Sequence, residues 1–393
     1  MRILTFTSLF PNSQDPTHGI FIYQRASHLA SRSGNEVRAV SPVPYFPRWL
    51  KIKRWPAASA LPSEETMNSI RVWHPRYPLV PKLSMPVHAL AMFLGSLRTV
   101  KKLHQTAQID CIDAHFVYPD GMAAVLLGKV LDIPVIVSAR GTDINVYPDF
   151  HLIRPMIRWT LRHAAGIIAV SESLREKMVA LGIPKERIHL VPNGVDPAAF
   201  RQISQVEACR RLNLGDIGPL LVSVGSLIPS KGHQILIEAV KSLAERVPGL
   251  QLYILGEGSY RPELEKLVKS LGLEKQVFLP GKRPNVELPL WFSAAAMSCL
   301  ASSREGWPNV VSESLACGTP VVATRAGGIP EIVHSPALGI LVERSCDAFA
   351  AGLAEALAKD WDRERISRES RRRTWETVAE EVEATMLKAT GSR

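Results

Sequence analysis

The chain has 393 residues, more than one hydrophobic core usually organises, so we expect two domains. Hydrophobic residues make up 46% of the sequence and charged residues 21%, a balance that excludes extended disorder. The formal net charge is +10, and residues 1–108, with 14 Lys/Arg against 4 Asp/Glu, carry all of this excess. The asymmetry points this part of the chain toward an anionic partner: nucleic acid, acidic phospholipid headgroups or a phosphate-bearing acceptor.

The N-terminal sequence and the cysteines predict a cytoplasmic protein. The apolar stretch that begins at Ile3 ends by Pro11, which is too short for the hydrophobic region of a signal peptide. The five cysteines are widely spaced and include no C-x-x-C pair, so we expect reduced thiols. The most apolar window, within residues 86–105, is interrupted by polar side chains and falls short of the roughly 20 residues that span a bilayer.

Short β-branched runs alternate with helix-sized segments along the chain, which predicts βαβ units and parallel sheets. The first set of runs covers residues 3–7, 36–41, 111–115, 135–138, 167–170 and 188–191. After the turn signal Pro192-Asn193-Gly194 the pattern restarts with residues 220–224, 251–255, 277–279, 297–300 and 321–324. We therefore predict domains at residues 1–195 and 196–373, followed by a C-terminal helix within 374–393.

The predicted C-terminal helix carries an apolar stripe. Val378, Val382 and Met386 recur at four-residue spacing, so they lie on one face of a helix and must pack against something. We expect the helix to cross back onto the first domain.

The densest basic patch lies between the second and third predicted strands and interleaves cations with tryptophan. It consists of Arg48, Trp49, Lys51, Lys53, Arg54 and Trp55. Tryptophan rings settle at the level of lipid headgroups, and each nearby Lys or Arg adds about 1 kcal/mol of attraction to an acidic membrane. The pattern predicts membrane contact, with a solvated basic loop as the alternative. No nucleic-acid-binding module is recognisable.

Loops that follow parallel strands are the places to look for ligand sites. The loop after the first predicted strand leads to Gly19, which would let backbone amides approach a diphosphate at a helix N-terminus. In the second domain, the loop that begins at Gly225 contains Lys231, a point charge suited to phosphate, although no glycine precedes it as in a Walker A motif. The next strand is followed by Gly256 and Gly258, where a nucleoside could lie against the backbone. The alternative for Gly19 is an ordinary glycine at a helix entry, and the alternative for Lys231 is a solvated surface lysine.

Residues 302–320 are the strongest candidate site. Pro308 suits a first helical turn, which places Glu305 in the loop before the helix and Glu313 inside it, while amides after Gly306 point toward the same ligand. Two carboxylates beside a helix N-terminus suit a molecule with many hydroxyls and a phosphate. The alternative is a solvated pair of glutamates at a helix entry.

Together these motifs resemble the retaining glycosyltransferases of family 4. The resemblance spans nearly the whole chain and rests on the first glycine loop through Gly19 and on residues 114–121, 140–143, 191–196, 231–232, 305–313, 321–324 and 327–331. It implies the α/β GT-B fold, in which two Rossmann-like, doubly wound domains face a central cleft and a C-terminal helix crosses back to the first domain. Within the family the sequence looks most like bacterial exopolysaccharide and teichuronic-acid-type transferases.

The resemblance also implies a role for each candidate residue. Glu313 would hold the ribose hydroxyls of the donor, Glu305 the hydroxyls of the transferred sugar, Lys231 and the Gly19 loop the diphosphate, and His115 the sugar near the reacting carbon. Further donor contacts would come from Gly225, Ser226, Gly256, Gly258, Arg304, Gly306, Trp307, Pro308 and Asn309, and acceptor-side contacts from Arg140, Asp143 and Tyr118. Ser226 stands where the family usually has arginine, so the phosphate clamp is weaker or is supplied by Arg304 or Arg325.

The resemblance implies transfer with retention and without a metal cofactor. The one D-x-D motif, Asp360-Trp361-Asp362, lies in a charged helical region typical of a solvated face. No nucleophilic carboxylate is assigned, so front-face attack is the preferred mechanism. The expected donor is a nucleotide sugar, UDP-sugar before GDP-mannose, and the expected acceptor a glycan or a polyprenyl-diphosphate-linked sugar, reached by peripheral association with the acidic inner face of the cell membrane. The alternatives are a GT-B epimerase or phosphorylase, and a non-catalytic protein that binds sugar nucleotides or polyanions.

Overall fold

A computed structural model describes residues 1–45, 61–79, 85–215 and 218–391. The chain divides into two compact units: Met1–Asn193 together with Trp375–Arg393, and Gly194–Thr374. The predicted membrane-contact segment, from Arg48 to Trp55, lies outside the described residues. Within the described ranges, no helix combines the length and apolar character needed to cross a bilayer.

Among the described residues, the first unit forms an eight-stranded sheet and a separate two-stranded sheet. Its strands are β1 (Arg2–Phe6), β2 (Glu36–Val40), β3 (Val43–Tyr45), β4 (Glu64–Met67), β5 (Ile70–Trp73), β6 (Arg76–Pro78), β7 (Cys111–His115), β8 (Val135–Ala139), β9 (Gly166–Ala169) and β10 (Ile188–Leu190). The large sheet has the order β10-β9-β8-β7-β1-β2-β5-β4, and only the β4–β5 pair is antiparallel. The predicted parallel α/β arrangement is confirmed.

Strands β3 to β6 were not predicted, because they are too short to show a pattern. β3 and β6 have three residues each and pair in parallel with one another. β4 and β5 form a hairpin whose turn contains Asn68 with φ of 53°, a conformation that asparagine tolerates better than most residues. The alternation of buried Ile70 and Val72 with exposed Arg71 extends over too few residues to predict a strand.

Helices cover the sheet of the first unit. They are α1 (Ile20–Ser31), α2 (His88–Ala107), α3 (Met122–Leu131), α4 (Thr142–Asn145), α5 (Arg154–His163) and α6 (Glu172–Ala180). The central strands β7 and β8 are buried along their whole length, as expected for parallel strands with helices on both faces.

The second unit is built on a six-stranded parallel sheet. Its strands are β11 (Leu220–Val224), β12 (Gln251–Leu255), β13 (Val277–Phe278), β14 (Met297–Leu300), β15 (Val321–Thr324) and β16 (Gly339–Val342), in the order β13-β12-β11-β14-β15-β16. Its helices are α7 (Gln205–Arg211), α8 (His233–Leu243), α9 (Arg261–Ser270), α10 (Leu288–Ala294), α11 (Asn309–Ala316), α12 (Ile329–Ile332), α13 (Cys346–Ala358) and α14 (Arg363–Ser370). The edge strand β16, which begins with glycine and is mostly half-buried, was not predicted.

Separate hydrophobic clusters cover the two faces of this second sheet. Helices α8 and α13 pack with residues such as Leu252 and Val322 in one cluster, and α10 packs with Leu220 and Val222 in another. The sheet is therefore doubly wound, and the loops after β11, β12, β14 and β15 emerge at one edge.

The last helix, α15 (Trp375–Thr390), belongs to the first unit. Val378, Val382 and Met386 are at most 1% exposed and share a core cluster with Ile22 and Leu29 of α1. Arg32 adds ion pairs at the rim, with its Nε 2.6 Å from Glu383 Oε2 and its Nη1 3.2 Å from Glu380 Oε1. The apolar stripe therefore packs on the first unit, as its spacing predicts.

Candidate active site

Lys231 is positioned by a tight turn after β11. The turn Pro229–Lys231 ends at Gly232, whose φ of 71° lies in the left-handed region, and α8 begins directly after it. A Cβ atom on Gly232 would lie 2.2 Å from the carbonyl oxygen of Ala301, so only glycine allows this turn to pack against the loop after β14. The packing brings Lys231 next to the predicted carboxylate segment.

Lys231 and Glu305 form an ion pair at the carboxyl edge of this sheet. Lys231 Nζ lies 2.6 Å from Glu305 Oε1, and the two side chains are 24% and 11% exposed. A charge-assisted hydrogen bond in so sheltered a position is stronger than an ordinary surface ion pair. The structure thus brings together two residues that the sequence separates by more than seventy positions.

Gly256 and Gly258 serve the packing of two neighbouring loops. A Cβ atom would lie 1.9 Å from Gly225 O if placed on Gly256 and 2.2 Å from Leu227 O if placed on Gly258. The close contact between the backbones of the loops after β11 and β12 is therefore sufficient to explain both glycines. Their presence does not by itself indicate a nucleoside.

Glu313 lies inside α11 and retains partial access to solvent. Its side chain makes no hydrogen bond or ion pair within the described part of the chain, and burial raises the pKa of its carboxyl to about 7. An acid whose ionisation is disfavoured in this way gains from any ligand that donates hydrogen bonds to it. Sugar and ribose hydroxyls are such donors.

The residues around Glu313 line the entry of α11. Gly306 and Pro308 are buried, Trp307 and Asn309 are partly buried, and Pro308 directly precedes the helix. The indole Nε1 of Trp307 is buried without a hydrogen-bond partner among the described residues. Arg304, by contrast, is exposed.

His233 is a buried residue in this region that the sequence analysis missed. Its Nδ1 lies 3.3 Å from Ser223 Oγ and its Nε2 lies 3.3 Å from the carbonyl oxygen of Ser226. Burial lowers the pKa of His233 to about 4, so the ring is neutral, and only its Nε2–H can donate to the carbonyl. The ring therefore fixes the backbone of the Gly225 loop, while the Ser226 side chain itself is exposed. Its position directly after Lys231-Gly232 was the available signal.

In the first unit, His115 lies in a fully buried polar network. His115 Nδ1 is 2.6 Å from Arg140 Nη2, and its Nε2 is 3.2 Å from Asp113 Oδ2. Since arginine only donates, Nδ1 accepts and the proton of the neutral ring is on Nε2. Burial lowers the pKa of His115 to about 3, which favours the neutral form.

Asp113 and Arg140 connect this network to other elements. Asp113 Oδ1 accepts from Arg25 Nη2 at 2.8 Å, and Arg140 Nη1 donates to Asn193 Oδ1 at 2.9 Å. Burial alone would raise the pKa of Asp113, but the charge of Arg25, supported by His115 and Arg140, lowers it well below its usual range. The Arg140 guanidinium also lies over the ring of Phe21, 5.5 Å from its centroid.

Asp143 and Tyr118 are buried and bonded within the unit. The Asp143 carboxylate accepts from the backbone amides of Val117, Arg140 and Gly141, with the shortest contacts at 2.7 Å. The Tyr118 hydroxyl donates to the carbonyl oxygen of Met85. Both residues therefore shape the loops after β7 and β8, and neither side chain offers an open surface to an acceptor.

Asp120 and Gly19 shape the first glycine loop. The buried Asp120 carboxylate accepts from the amide of Ser8, and burial raises its pKa to about 7. Gly19 has φ of 64°, and a Cβ atom there would lie 2.4 Å from the carbonyl oxygen of Leu9. The loop is thus folded tightly against its own start, and Asp120, which the sequence analysis did not single out, holds that start in place.

The second unit also has a concavity away from the Lys231 and Glu305 loops. A concavity of about 890 Å³ opens beside Pro219, Ala296 and Pro320, which precede their strands, so it lies at the edge opposite Lys231 and Glu305. Because ligands of open parallel sheets bind at the carboxyl edge, the geometry favours the Lys231–Glu305 region as the active site. Within the described ranges, no group of three or more His, Cys, Asp or Glu side chains is arranged to hold a metal ion.

Comparison with known proteins matches both halves of the chain. Family models described as Glycosyltransferase Family 4 and Glycosyl transferases group 1 match residues 19–199 and 208–373. The Bacillus subtilis protein named "Putative teichuronic acid biosynthesis glycosyltransferase TuaC" is 29% identical over 90% of this chain and 88% of its own length. A GDP-mannose-dependent alpha-(1-6)-phosphatidylinositol monomannoside mannosyltransferase of Mycolicibacterium smegmatis is 33% identical over 52% of this chain and 57% of its own.

Among solved structures, HepE of Anabaena in complex with UDP is similar to this chain with a TM-score of 0.71. It is 20% identical, and the match covers 98% of this chain and 99% of HepE. At this identity the likeness shows the fold, which agrees with the two parallel-sheet units described above. The chain therefore belongs to the group 1 and family 4 glycosyltransferases, and it is a transferase enzyme with the GT-B fold.

Proposed function

We propose that this enzyme transfers a sugar, with retention of configuration, from a nucleotide-diphosphate donor to a glycan or lipid-linked acceptor in cell-envelope polysaccharide synthesis. The named function of the Bacillus subtilis relative supports the biosynthetic context. The UDP in the HepE complex supports a UDP-sugar as the first donor to test. GDP-mannose is the second, because the mycobacterial relative is named for it.

The Lys231–Glu305 ion pair carries this proposal. The pair combines a cation and a carboxylate, 2.6 Å apart, at the edge of the sheet where ligands of this fold bind. A diphosphate that reaches Lys231 competes with Glu305 for the ammonium, and the carboxylate then becomes available to accept hydrogen bonds from a sugar. One contact can thus couple recognition of the leaving group to recognition of the transferred sugar.

We propose that the reaction needs no divalent metal. Negative charge develops on the departing diphosphate, and Lys231, together with the amides at the start of α11, would stabilise it. Retention follows from the family resemblance, with front-face attack by the acceptor as the preferred course.

We further propose that the enzyme acts at the inner face of the cell membrane. The support is the excess of 14 Lys/Arg over 4 Asp/Glu in residues 1–108. Part of this excess, including Lys51, Lys53 and Arg54, lies outside the described residues, so this part of the proposal depends on the sequence. Reversible binding to acidic lipid would bring the enzyme to a lipid-linked acceptor.

The test combines binding and turnover. A thermal-shift panel of UDP-glucose, UDP-N-acetylglucosamine, UDP-galactose and GDP-mannose should identify the donor, since a ligand at 100 times its Kd adds about 2.7 kcal/mol of stability. With that donor and a polyprenyl-diphosphate-linked acceptor, Lys231→Ala and Glu305→Gln should each lower nucleotide release about 100-fold or more. Lys241→Ala, an exposed lysine on the adjoining α8, is the matched control and should remain near wild type.

The same assay separates the alternatives. Conversion of the donor when it is incubated alone would indicate an epimerase, and consumption that depends on free phosphate would indicate a phosphorylase. Binding of the donor without turnover by any acceptor, in wild type as in the variants, would favour a non-catalytic binding protein. Unchanged turnover in Lys231→Ala would remove that residue from the proposed mechanism.

A further inference from the structure

A dense run of arginine follows α13 in the second unit. Residues 363–373 contain six arginines against two glutamates, although residues 109–393 as a whole carry 33 charges of each sign. Charge balance over this long range therefore conceals a strongly basic local segment. The segment forms α14 and the turn after it.

Part of this run lines a concave surface. Arg368, Arg371 and Arg372 face a concavity of about 510 Å³, which Arg201 and Glu364 also line. Arg371 Nη2 donates to the carbonyl oxygen of Pro197 at 3.0 Å and so joins the α14 turn to the segment that carries Arg201. These five charged side chains form what we call the arginine pocket.

The arginine pocket rests on a fixed support. Ser367 Oγ, on the inner side of α14, donates to the carbonyl oxygen of Ala316 at 2.6 Å, and α14 packs against α11. Ile366, also on α14, is 1% exposed in the core of the unit. The backbone that presents the arginines is therefore held in place by buried contacts.

The charges of the arginine pocket are not neutralised by the protein. Among the described residues, Arg201, Arg368, Arg371 and Arg372 make no ion pair, and Glu369 on α14 is paired with His334 at 3.0 Å. Glu364 is the one carboxylate that lines the pocket, so the lining charge is strongly positive. Like charges that converge on a concave surface repel one another and focus a positive potential, which an anionic ligand would relieve.

We propose that the arginine pocket binds a phosphate-bearing ligand with at least two negative charges. Guanidinium groups match phosphate oxygens in bidentate geometry, and four of them from two segments line this one concavity. The ligand chemistry is common to soluble diphosphates and to the phosphate headgroups of lipids. The site is separate from the donor loops, because Ser367 in its lining contacts Ala316 at the C-terminal end of α11, whereas Glu305 lies before the N-terminal end of that helix.

The soluble source is tested by calorimetric titration with sodium pyrophosphate at constant ionic strength. The variant pair Arg368→Ser/Arg372→Ser should bind pyrophosphate about tenfold or more weakly than wild type. The control pair Arg246→Ser/Arg365→Ser removes the same charge from exposed arginines outside the pocket and should stay within about twofold. Pyrophosphate can also bind at the donor loops, which both variants keep. The difference in pyrophosphate affinity between the two variants is therefore the quantity that reports on the arginine pocket.

The lipid source is tested by co-sedimentation with phosphatidylcholine vesicles that contain phosphatidic acid. If the Arg368/Arg372 variant binds both pyrophosphate and the vesicles more weakly than the control variant does, the result supports a site that lipid phosphate reaches. A difference confined to pyrophosphate supports a soluble ligand, and one confined to vesicles supports a lipid ligand. If the two variants have equal affinity for pyrophosphate and co-sediment equally with the vesicles, the proposal is overturned. Arg201→Ser, which leaves α14 intact, must weaken binding in the same arm; a folded Arg201 variant with wild-type affinity also overturns it.

Discussion

Replacing Glu313 by Gln should make the second unit more stable at neutral pH and less able to bind its donor. Burial raises the pKa of Glu313 from its ordinary value of 4.5 to about 7. Between these two values the folded protein keeps a proton that the unfolded chain has released, so the wild type loses stability as the pH rises. Glutamine cannot ionise and does not pay this penalty.

The size of the effect follows from the shift in pKa. Each pKa unit corresponds to about 1.36 kcal/mol, so a displacement from 4.5 to about 7 is worth roughly 3 to 4 kcal/mol at most. The free energies of unfolding of the two proteins should agree near pH 4.5, diverge as the pH rises, and differ by a constant amount above pH 7.5 or so. Because Glu313 has partial access to solvent, this value of roughly 3 to 4 kcal/mol is an upper bound.

Urea unfolding of wild type and Glu313→Gln at pH 5 and pH 8 measures this difference. Donor binding supplies the second readout: hydroxyls that bond to the charged carboxylate lower its pKa, so the wild type should release a proton on binding near pH 7. Titration calorimetry in buffers of different ionisation enthalpy detects that proton, and the Gln variant should bind more weakly and release none. A stability difference that does not change with pH would refute the reasoning.

Three further outcomes are expected. Arg25→Met should lower the free energy of unfolding by about 3–5 kcal/mol, because a buried carboxylate loses its partner, whereas Arg32→Met, which removes two ion pairs at the surface, should cost about 1 kcal/mol in the same urea experiment. Sugar transfer should survive EDTA; complete loss that Mg²⁺ or Mn²⁺ restores would show that the phosphate clamp has been misidentified. Replacing Lys51, Lys53 and Arg54 by Ser should release the protein from acidic vesicles, by removing up to about 3 kcal/mol of attraction, without changing donor affinity; undiminished co-sedimentation would identify the segment as a solvated loop.

The sequence could predict the elements whose pattern is long and buried. Runs such as 111–115 and 135–138 are apolar on both faces because helices cover both sides of the sheet, and this makes them recognisable. The apolar stripe of α15 was also predictable, because Val378 and Val382 repeat at the helical period. The short edge strand β16 offers no comparable signal, because it has four residues, begins with glycine and is mostly half-buried.

The side-chain partners could not be predicted from the sequence. His115 was expected near the reacting sugar, yet its ring nitrogens face Asp113 and Arg140, and the ring is fully buried. Spacing along the chain does not show which residues from β7, β8 and α1 will meet, because those contacts depend on the packing of the whole unit. The role of His115 beside the reacting carbon of the sugar therefore stays a prediction.

Ser226, which departs from the family pattern, contributes its backbone and not its side chain to the path of the loop. The carbonyl oxygen of Ser226 faces the neutral ring of His233, so the path of the loop depends on the backbone and on a buried histidine. The Ser226 side chain is exposed, so the absence of a cationic side chain at this position does not disturb the loop that carries Lys231. Arg304 is exposed on the loop after β14, which packs against the Lys231 turn, so a replacement cation can come from that side without any change in the backbone. A weaker phosphate clamp should therefore lower the affinity of the enzyme for the donor diphosphate and leave the stability of the second unit unchanged.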